Sequence, residues 1–137
     1  GATHAFNADD PDLVAQVRAA TNGGVEYAIE AASSVDALEV AYRITRRGGT
    51  TVTCSLPHPD HRFQLQAVNL VAEERTIKGC YLGSAVPARD IPHYIALYHA
   101  GKLPVDKLIT SRISLDEINA GFDRLAAGEA VRQVIVF

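Results

Sequence analysis

The hydrophobic and polar positions of the first hundred residues alternate between two periods, with Gly or Pro between segments. Residues 25–29 form a nearly continuous apolar run, which is typical of a strand buried on both faces. Before it, apolar residues at helical spacing predict a helix with Pro11 at its first position, capped by Asp10. After it, Ser34 is expected to cap a second helix, whose inner side would carry Leu38, Ala41 and Ile44.

The same two periods predict the remaining elements. Strands are expected at 5–6, 49–56, 76–82, 108–113 and 131–137, and helices at 65–73, at 90–100 and after a capping box formed by Ser114 and Glu117. Alternating strands and helices predict an α/β fold, in which crossover helices join the strands of a parallel sheet. Sites on such sheets lie at the carboxyl ends of the strands, so segments 30–33, 54–56 and 80–83 are the candidate site.

Composition narrows the classes of function. The chain has 137 residues, of which 47% are hydrophobic and 21% charged, and its net charge is −3. This balance favours a globular protein and argues against nucleic-acid binding and against a polybasic membrane patch. No apolar run approaches the ~20 residues of a membrane span and no signal peptide is recognised, so a cytoplasmic location is expected. The absence of Met is also what a piece of a longer chain would show.

The reactive and charged side chains have structural explanations at this stage. Cys54 and Cys80 lie in strand-like apolar runs and are expected to be small buried residues without a disulfide. Arg46 and Arg47 stand before Gly48 and are interpreted as charges at a helix end, in preference to a phosphate site.

Catalytic and ligand-binding motifs are scarce. His58, Asp60 and His61 share one loop and could offer three metal ligands, but an ordinary exposed loop is the favoured interpretation. The sequence contains no G-x-S-x-G nucleophile elbow and no Gly-rich phosphate-binding loop. The predicted sheet therefore lacks the turn that would cradle a nucleotide.

Five segments, in order and at consistent spacing, resemble the C-terminal part of the zinc-dependent medium-chain alcohol dehydrogenases, class III-like. The resemblance covers essentially the whole chain and implies a partial Rossmann-type parallel sheet with a C-terminal strand-helix-strand tail. On this basis residues 1–101 are expected to be the C-terminal portion of a dinucleotide-binding domain, and residues 102–137 a tail that returns toward the catalytic domain. The resembling segments are residues 1–4, 23–30, 78–83, 118–123 and 128–132.

The resemblance implies a parent enzyme that interconverts alcohols and aldehydes, with zinc as Lewis acid and NAD as hydride carrier. The zinc ligands and the Gly-rich turn belong to parts of that enzyme that this sequence does not contain. The chain alone is therefore expected to be inactive and to bind NAD weakly or not at all. Arg132 resembles an arginine that reaches the pyrophosphate, or is an exposed strand residue. The other residues implied to contact NAD are Ala31, Ala32, Cys54, Ser55, Leu56, Cys80, Tyr81 and Leu82.

Two positions depart from the family pattern. Ser33 and Ser55 stand where the family usually has glycine. If those glycines serve a positive φ or a close approach to the cofactor, a serine would weaken cofactor binding. Replacing both serines with glycine in a full-length version is therefore expected to tighten NAD binding.

Association is the remaining expectation. In the resembled family, the strand predicted between Thr76 and Leu82 pairs with its copy across a two-fold axis, so a homo-oligomer is expected. Residues 25–29 would also lose a neighbouring strand, and four occupants are considered for that gap: residues 5–6, the tail 131–137, a second copy, or a further polypeptide. The alternative to an enzyme fragment is a non-catalytic or degenerate α/β domain that acts in self-association only.

Overall fold

Three parallel strands organise the chain up to Ala85. The structure, a computed structural model, describes residues 2–137, and Gly1–Ala85 is one of its two compact units. The strands are hydrogen-bonded in chain order: β1 (Val25–Glu30), β2 (Thr45–Thr53) and β3 (Thr76–Gly79). The helices that alternate with them are α1 (Leu13–Ala20), α2 (Val35–Ile44) and α3 (Ala67–Ala72). The predicted parallel α/β architecture is confirmed.

The second unit is Val86–Phe137. It contains α4 (Pro87–His99), β4 (Ser111–Ile113), α5 (Ile118–Ala126) and β5 (Gln133–Ile135), and β4 pairs with β5 in parallel. The predicted capping box is confirmed, because the Glu117 carboxylate accepts from the Ser114 backbone N–H at 2.8 Å. The predicted division after residue 101 concerns the domains of a longer enzyme and stays a prediction.

The core of the first unit lies between α2 and the sheet and contains an unpredicted polar contact. Ala28, Leu38 and Ala41 are buried, as their positions in the pattern require. Thr45 and Thr51 are completely buried, with their hydroxyl oxygens 2.8 Å apart. Thr45 Oγ1 also donates to the Ala41 carbonyl at 2.7 Å, so both hydroxyls are satisfied. This pair fastens the end of α2 to the middle of β2.

The connection from α2 into β2 differs from the prediction. The helix ends at Ile44, and Arg46 and Arg47 belong to β2, so their assignment to the helix end is wrong. Arg46 forms an ion pair with Glu26, and Arg47 donates to the Ala72 carbonyl at 3.2 Å. The helix stops early because Thr45 is extended (ψ 133°) and its hydroxyl is anchored inside the core.

Glycine is required where β1 begins. Gly24 has φ +129°, and a Cβ there would lie 2.6 Å from the Ile44 carbonyl oxygen. The Gly23-Gly24 pair therefore does more than end α1, because it lets β1 start in contact with the α2–β2 connection.

Most predicted strands are longer than the observed ones. Strand β3 ends at Gly79 rather than at Leu82, since Leu82, Gly83 and Ser84 all have positive φ (47°, 68° and 53°). Cys54 and Cys80 consequently follow their strands; both thiols are free, and Cys54 is exposed, so its predicted burial is wrong. Among residues 2–137, no helix combines the length and apolar character needed to cross a membrane.

The outer edge of the sheet is open in this chain. Among the described residues β1 has β2 as its only paired strand, and Tyr27 and Ile29 are each 71% exposed. The two occupants expected from this chain do not fill the gap: residues 5–6 form no strand, and β5 pairs with β4. A second copy or a further polypeptide at this edge stays a prediction.

Candidate functional site

The candidate site lies at the carboxyl ends of the three strands of the first unit. Ala31 and Ala32 follow β1, Cys54 to Leu56 follow β2, and Cys80 to Leu82 follow β3. The Cys54 N–H donates to the Glu30 carbonyl at 3.0 Å, and the Cys80 N–H donates to the Thr53 carbonyl at 2.9 Å. These bonds continue the sheet by one residue, so the three predicted segments lie side by side at one edge.

A cleft of about 350 Å³ opens between the second and third segments. Its wall includes two exposed apolar side chains, Leu56 (73% exposed) and Tyr81 (70%). A Cβ built on Gly79 would meet nothing within 4 Å, so the space beside the end of β3 is open. An apolar wall beside strand-end backbone suits a flat ring with polar substituents. The residues that line it are Thr53, Cys54, Ser55, Leu56, Gly79, Cys80 and Tyr81.

Glu30 is the central polar group of this edge, and the sequence analysis did not assign it a role. Its side chain lies at the end of β1 and the residue is 4% exposed. One carboxylate oxygen accepts from the Ala32 N–H at 2.5 Å. The other accepts from the hydroxyls of Thr53 (2.6 Å) and Ser55 (2.5 Å). The available sequence signal is an acidic residue at the carboxyl end of a largely apolar strand.

The hydrogen bonds determine the charge of this carboxyl. Burial alone raises the pKa of Glu30, because it penalises the charged form. The bonds from Ser55, Thr53 and the backbone after β1 outweigh burial, and the pKa lies below its ordinary value. Glu30 is therefore a carboxylate at neutral pH, held by its donors.

The two serines that replace family glycines are accommodated differently. Ser33 has φ +57°, so it occupies the left-handed region where glycine is favoured, and of the two reasons considered for a glycine the positive φ applies there. Ser55 is not among the residues with positive φ, and its hydroxyl is engaged by Glu30. The concern about backbone conformation thus applies to Ser33 alone.

The thiols point to neighbours within the site. Cys54 Sγ lies 3.2 Å from the Glu30 carbonyl oxygen, and Cys80 Sγ lies 3.7 Å from the Ser84 hydroxyl. The Cys54 thiol therefore lies on the β1 side of the site, and the Cys80 thiol lies toward the turn after β3.

Arg132 belongs to the second unit and is exposed there. Its backbone carbonyl accepts from the Thr110 N–H at 2.7 Å, which extends the β4–β5 pair by one step. It also lines an apolar cavity of about 170 Å³ together with Phe122 and Leu125. Its role toward a pyrophosphate stays a prediction.

The histidine loop offers no metal site among the described residues. His58 Nδ1 lies 3.6 Å from the Asp60 carboxylate, and both side chains are well exposed. The rings of His58 and His61 are 5.5 Å apart between centroids. Within residues 2–137, no group of three or more His, Cys, Asp or Glu side chains is arranged to hold a metal ion. The donor set of this part of the chain thus does not fit zinc.

Comparisons with known proteins agree with one another. A family model described as zinc-binding dehydrogenase matches residues 1–100. Alcohol dehydrogenase 1 of Oryza sativa subsp. indica is 36% identical over 138 residues, which cover 98% of this chain and 36% of that protein. Geraniol dehydrogenase of Castellaniella defragrans is 35% identical, over 100% of this chain and 37% of its own length.

A solved structure extends the likeness to the fold. The crystal structure of benzyl alcohol dehydrogenase from Acinetobacter calcoaceticus superposes with a TM-score of 0.92 at 30% identity. The superposition covers 98% of this chain and 37% of that one. The chain spans only 30% to 37% of the length of the curated relatives it matches.

Proposed function

We propose that this chain, which belongs to the zinc-binding dehydrogenase family, supplies one wall of the cofactor site of an NAD-dependent alcohol dehydrogenase. The observation that carries the proposal is that three strand ends meet at one edge of the sheet, with a cleft of about 350 Å³ between the second and the third. Ligands of open parallel sheets bind beyond the carboxyl ends of the strands. The names of the relatives, which act on alcohols, support an alcohol or aldehyde as the substrate class.

The residues of the site divide by chemistry. The backbone of Cys54, Ser55 and Leu56 would orient the carboxamide of the nicotinamide, and Cys80, Tyr81 and Leu82 would pack beside the ring. Ala31 and Ala32 are small and exposed, so they leave room for the cofactor beside β1. Arg132 would bind the pyrophosphate, to which its planar guanidinium can donate two bonds.

The hydride chemistry needs groups that these residues do not supply. NAD, when bound, accepts a hydride from the alcohol carbon, and zinc polarises the alcohol oxygen. The ligands for zinc would come from a different part of a longer protein. The role of the present residues is to bind and orient the nicotinamide and to exclude water from one side of it.

The same proposal includes a two-fold assembly through β3. Strand β3 lies at the sheet edge opposite to β1, and within residues 2–137 no further strand pairs with it beyond β2. Pairing with a second copy would satisfy those backbone groups and join two sheets into one. The exposed side chains of Tyr81 and Leu82 just beyond the strand would add apolar contact area.

A chimera tests the cofactor site. This chain replaces the matched segment of the Oryza sativa alcohol dehydrogenase 1, and NADH binding and alcohol oxidation are measured beside the parent. We expect the chimera to bind NADH, and Leu56→Asp in the cleft to weaken binding by at least tenfold, about 1.4 kcal/mol. The matched control is Val71→Asp, a change at an equally exposed position outside the cleft (78% against 73%). A folded chimera that binds zinc but not NADH would contradict the proposal.

The exposed apolar side chains of β1 favour a second function, self-association without chemistry. Tyr27 and Ile29 lie on one face of an edge strand, and such strands are prone to pair. Sedimentation of the wild-type chain and of Tyr27→Lys tests this alternative. Self-association as the function would be favoured if Tyr27→Lys abolishes association and if NADH does not bind to the cleft.

A further inference from the structure

Glu30 connects the two segments that flank the site on the β1 side. Its carboxylate holds the Ala32 N–H with one oxygen and the Ser55 hydroxyl with the other, at 2.5 Å each. The Thr53 hydroxyl, at 2.6 Å, fixes the carboxylate from the last residue of β2. One buried side chain therefore determines where the turn after β1 lies relative to the segment after β2.

Ser55 is part of this connection. Glycine, which the family resemblance implies at this position, has no side chain to bond Glu30, so Ser55 adds a second side-chain hydrogen bond to the carboxylate beside that of Thr53. The hydroxyl that would otherwise be a free polar group in the cleft is committed to a charged acceptor, and such bonds are stronger than neutral ones. The same bond restrains the backbone of residues 54–56, which forms part of the cleft wall.

We propose that Glu30 and Ser55 form a positioning pair that sets the geometry of the cofactor cleft, and that Ser55 is a structural gain rather than an obstruction. Glu30 acts on the site through Ala32 and Ser55, without touching the cofactor. The inference deepens the proposed function and rests on it wherever the cleft is taken to receive NAD. It reverses the expectation that glycine at position 55 would tighten cofactor binding.

The first measurement is amide hydrogen exchange in the 137-residue chain, which requires no cofactor. Glu30→Ala removes the acceptor of the Ala32 N–H, so exchange at Ala32 should accelerate about tenfold or more. Glu30→Gln retains one carbonyl oxygen and should give an intermediate rate. Glu26→Gln, at an exposed position of the same strand, is the matched control and should leave Ala32 unchanged. Unchanged exchange at Ala32 in both Glu30 variants overturns the proposal.

The second measurement is an NADH titration of the Oryza sativa chimera described above, into which the same substitutions are introduced, followed by amide chemical shifts at Cys54, Leu56 and Tyr81. We expect Glu30→Gln and Ser55→Gly to reduce the apparent affinity about fivefold or more and to alter the shift pattern, with Glu26→Gln like wild type. If Glu30→Ala does not fold, Glu30→Gln and Ser55→Gly still decide the question, because Ser55→Gly keeps the bonds from Thr53 and Ala32 and Glu30→Gln keeps one acceptor oxygen.

The outcomes separate the two proposals. NADH-induced shifts that are equal in wild type and in the pair variants overturn the positioning pair and leave the cofactor site standing. Absence of shifts in the chimera without these substitutions counts against the cofactor site. The exchange rate at Ala32 then still decides whether Glu30 positions the turn after β1.

Discussion

The turn after β1 and the segment after β2 each carry a serine where the family resemblance implies glycine, and they accommodate it in opposite ways. In the turn, Ser33 adopts the left-handed conformation that glycine would adopt, at φ +57°. After β2, Ser55 has an ordinary backbone and uses its side chain to bond Glu30 at 2.5 Å. Ser33 therefore retains the backbone strain of a left-handed φ, whereas Ser55 gains a hydrogen bond that glycine could not form.

The difference shows that glycine can be required for two separate reasons. A left-handed φ costs any residue with a Cβ about 1–2 kcal/mol, whatever its polarity. Where glycine allows the backbone to approach a ligand closely, a larger side chain interferes only if there is no other space for its atoms. At position 55 the serine hydroxyl is directed to the buried Glu30 carboxylate. Backbone conformation therefore governs Ser33, and hydrogen bonding governs Ser55.

The largest effect is expected from Ser55→Gly. The variant loses a hydrogen bond to a charged acceptor and gains chain flexibility, so the free energy of unfolding should fall by about 2 kcal/mol. Urea denaturation of the chain measures the change. Ser55→Ala is the companion variant, because it lacks the hydroxyl but keeps the Cβ, and it should show the part of the loss that comes from the hydrogen bond to Glu30. An unchanged or higher free energy of unfolding in Ser55→Gly would show that the two serines do not differ in the way described.

Lowering the pH should reduce the difference in the free energy of unfolding between wild type and Ser55→Gly. The pKa of Glu30 is lowered on folding, so the stability it contributes is present above its ordinary value of about 4.5 and is lost as pH falls through the folded pKa. The difference between the two urea midpoints should therefore be full at pH 7 and shrink below pH 4.5. Wild type alone does not isolate this contribution, because Asp10, Asp90 and Glu117 also have lowered pKa values. A gap that is constant down to pH 3 would contradict the role of the charged carboxylate.

Local signals made most of the fold predictable, and the missing parts depend on distant partners. The Ser34 cap and the Ser114–Glu117 box are confirmed because each satisfies backbone groups within its own turn. Glu30 could not be assigned a role from sequence, since its partners Thr53 and Ser55 are 23 and 25 residues away. The burial of Thr45 and Thr51 depends on how α2 crosses β2, and the apolar pattern gives no sign of it.

The location of the candidate site could be predicted from the sequence, but the interactions among its residues could not. Parallel topology alone predicted that the segments after β1, β2 and β3 would meet at one edge, and they do. The family pattern supplied the two serine departures, but not which one strains the backbone. Distinguishing them required the φ of Ser33 and the direction of the Ser55 hydroxyl.

Ser33→Gly should have a smaller effect of the opposite sign. Relief of the left-handed strain is offset in part by the greater flexibility of glycine in the unfolded chain, so we expect a gain of about 0.5–1 kcal/mol. The gain should depend little on pH between 3 and 7, since glycine keeps the backbone N–H of position 33 that helps to lower the pKa of Glu30. Ser33→Ala is the control and should give no gain, because alanine keeps the Cβ. A loss of stability in Ser33→Gly would mean that the serine hydroxyl contributes more than the backbone strain costs.

The smallest effect is expected in the reactivity of the Cys54 thiol. Cys54 is exposed, and Cys80 is partly covered, so a thiol-specific disulfide reagent should react first with Cys54. The Cys54 N–H and Sγ both contact the Glu30 carbonyl, so the thiol reports how firmly the segment after β2 is held against β1. Ser55→Gly should raise the Cys54 rate by about two- to threefold, because the segment opens more often. Ser33→Gly should leave it unchanged, and Cys54→Ser identifies the contribution of Cys80. Equal rates for Cys54 in the two glycine variants would show that both serines act on the same local opening, and the comparison between them would fail.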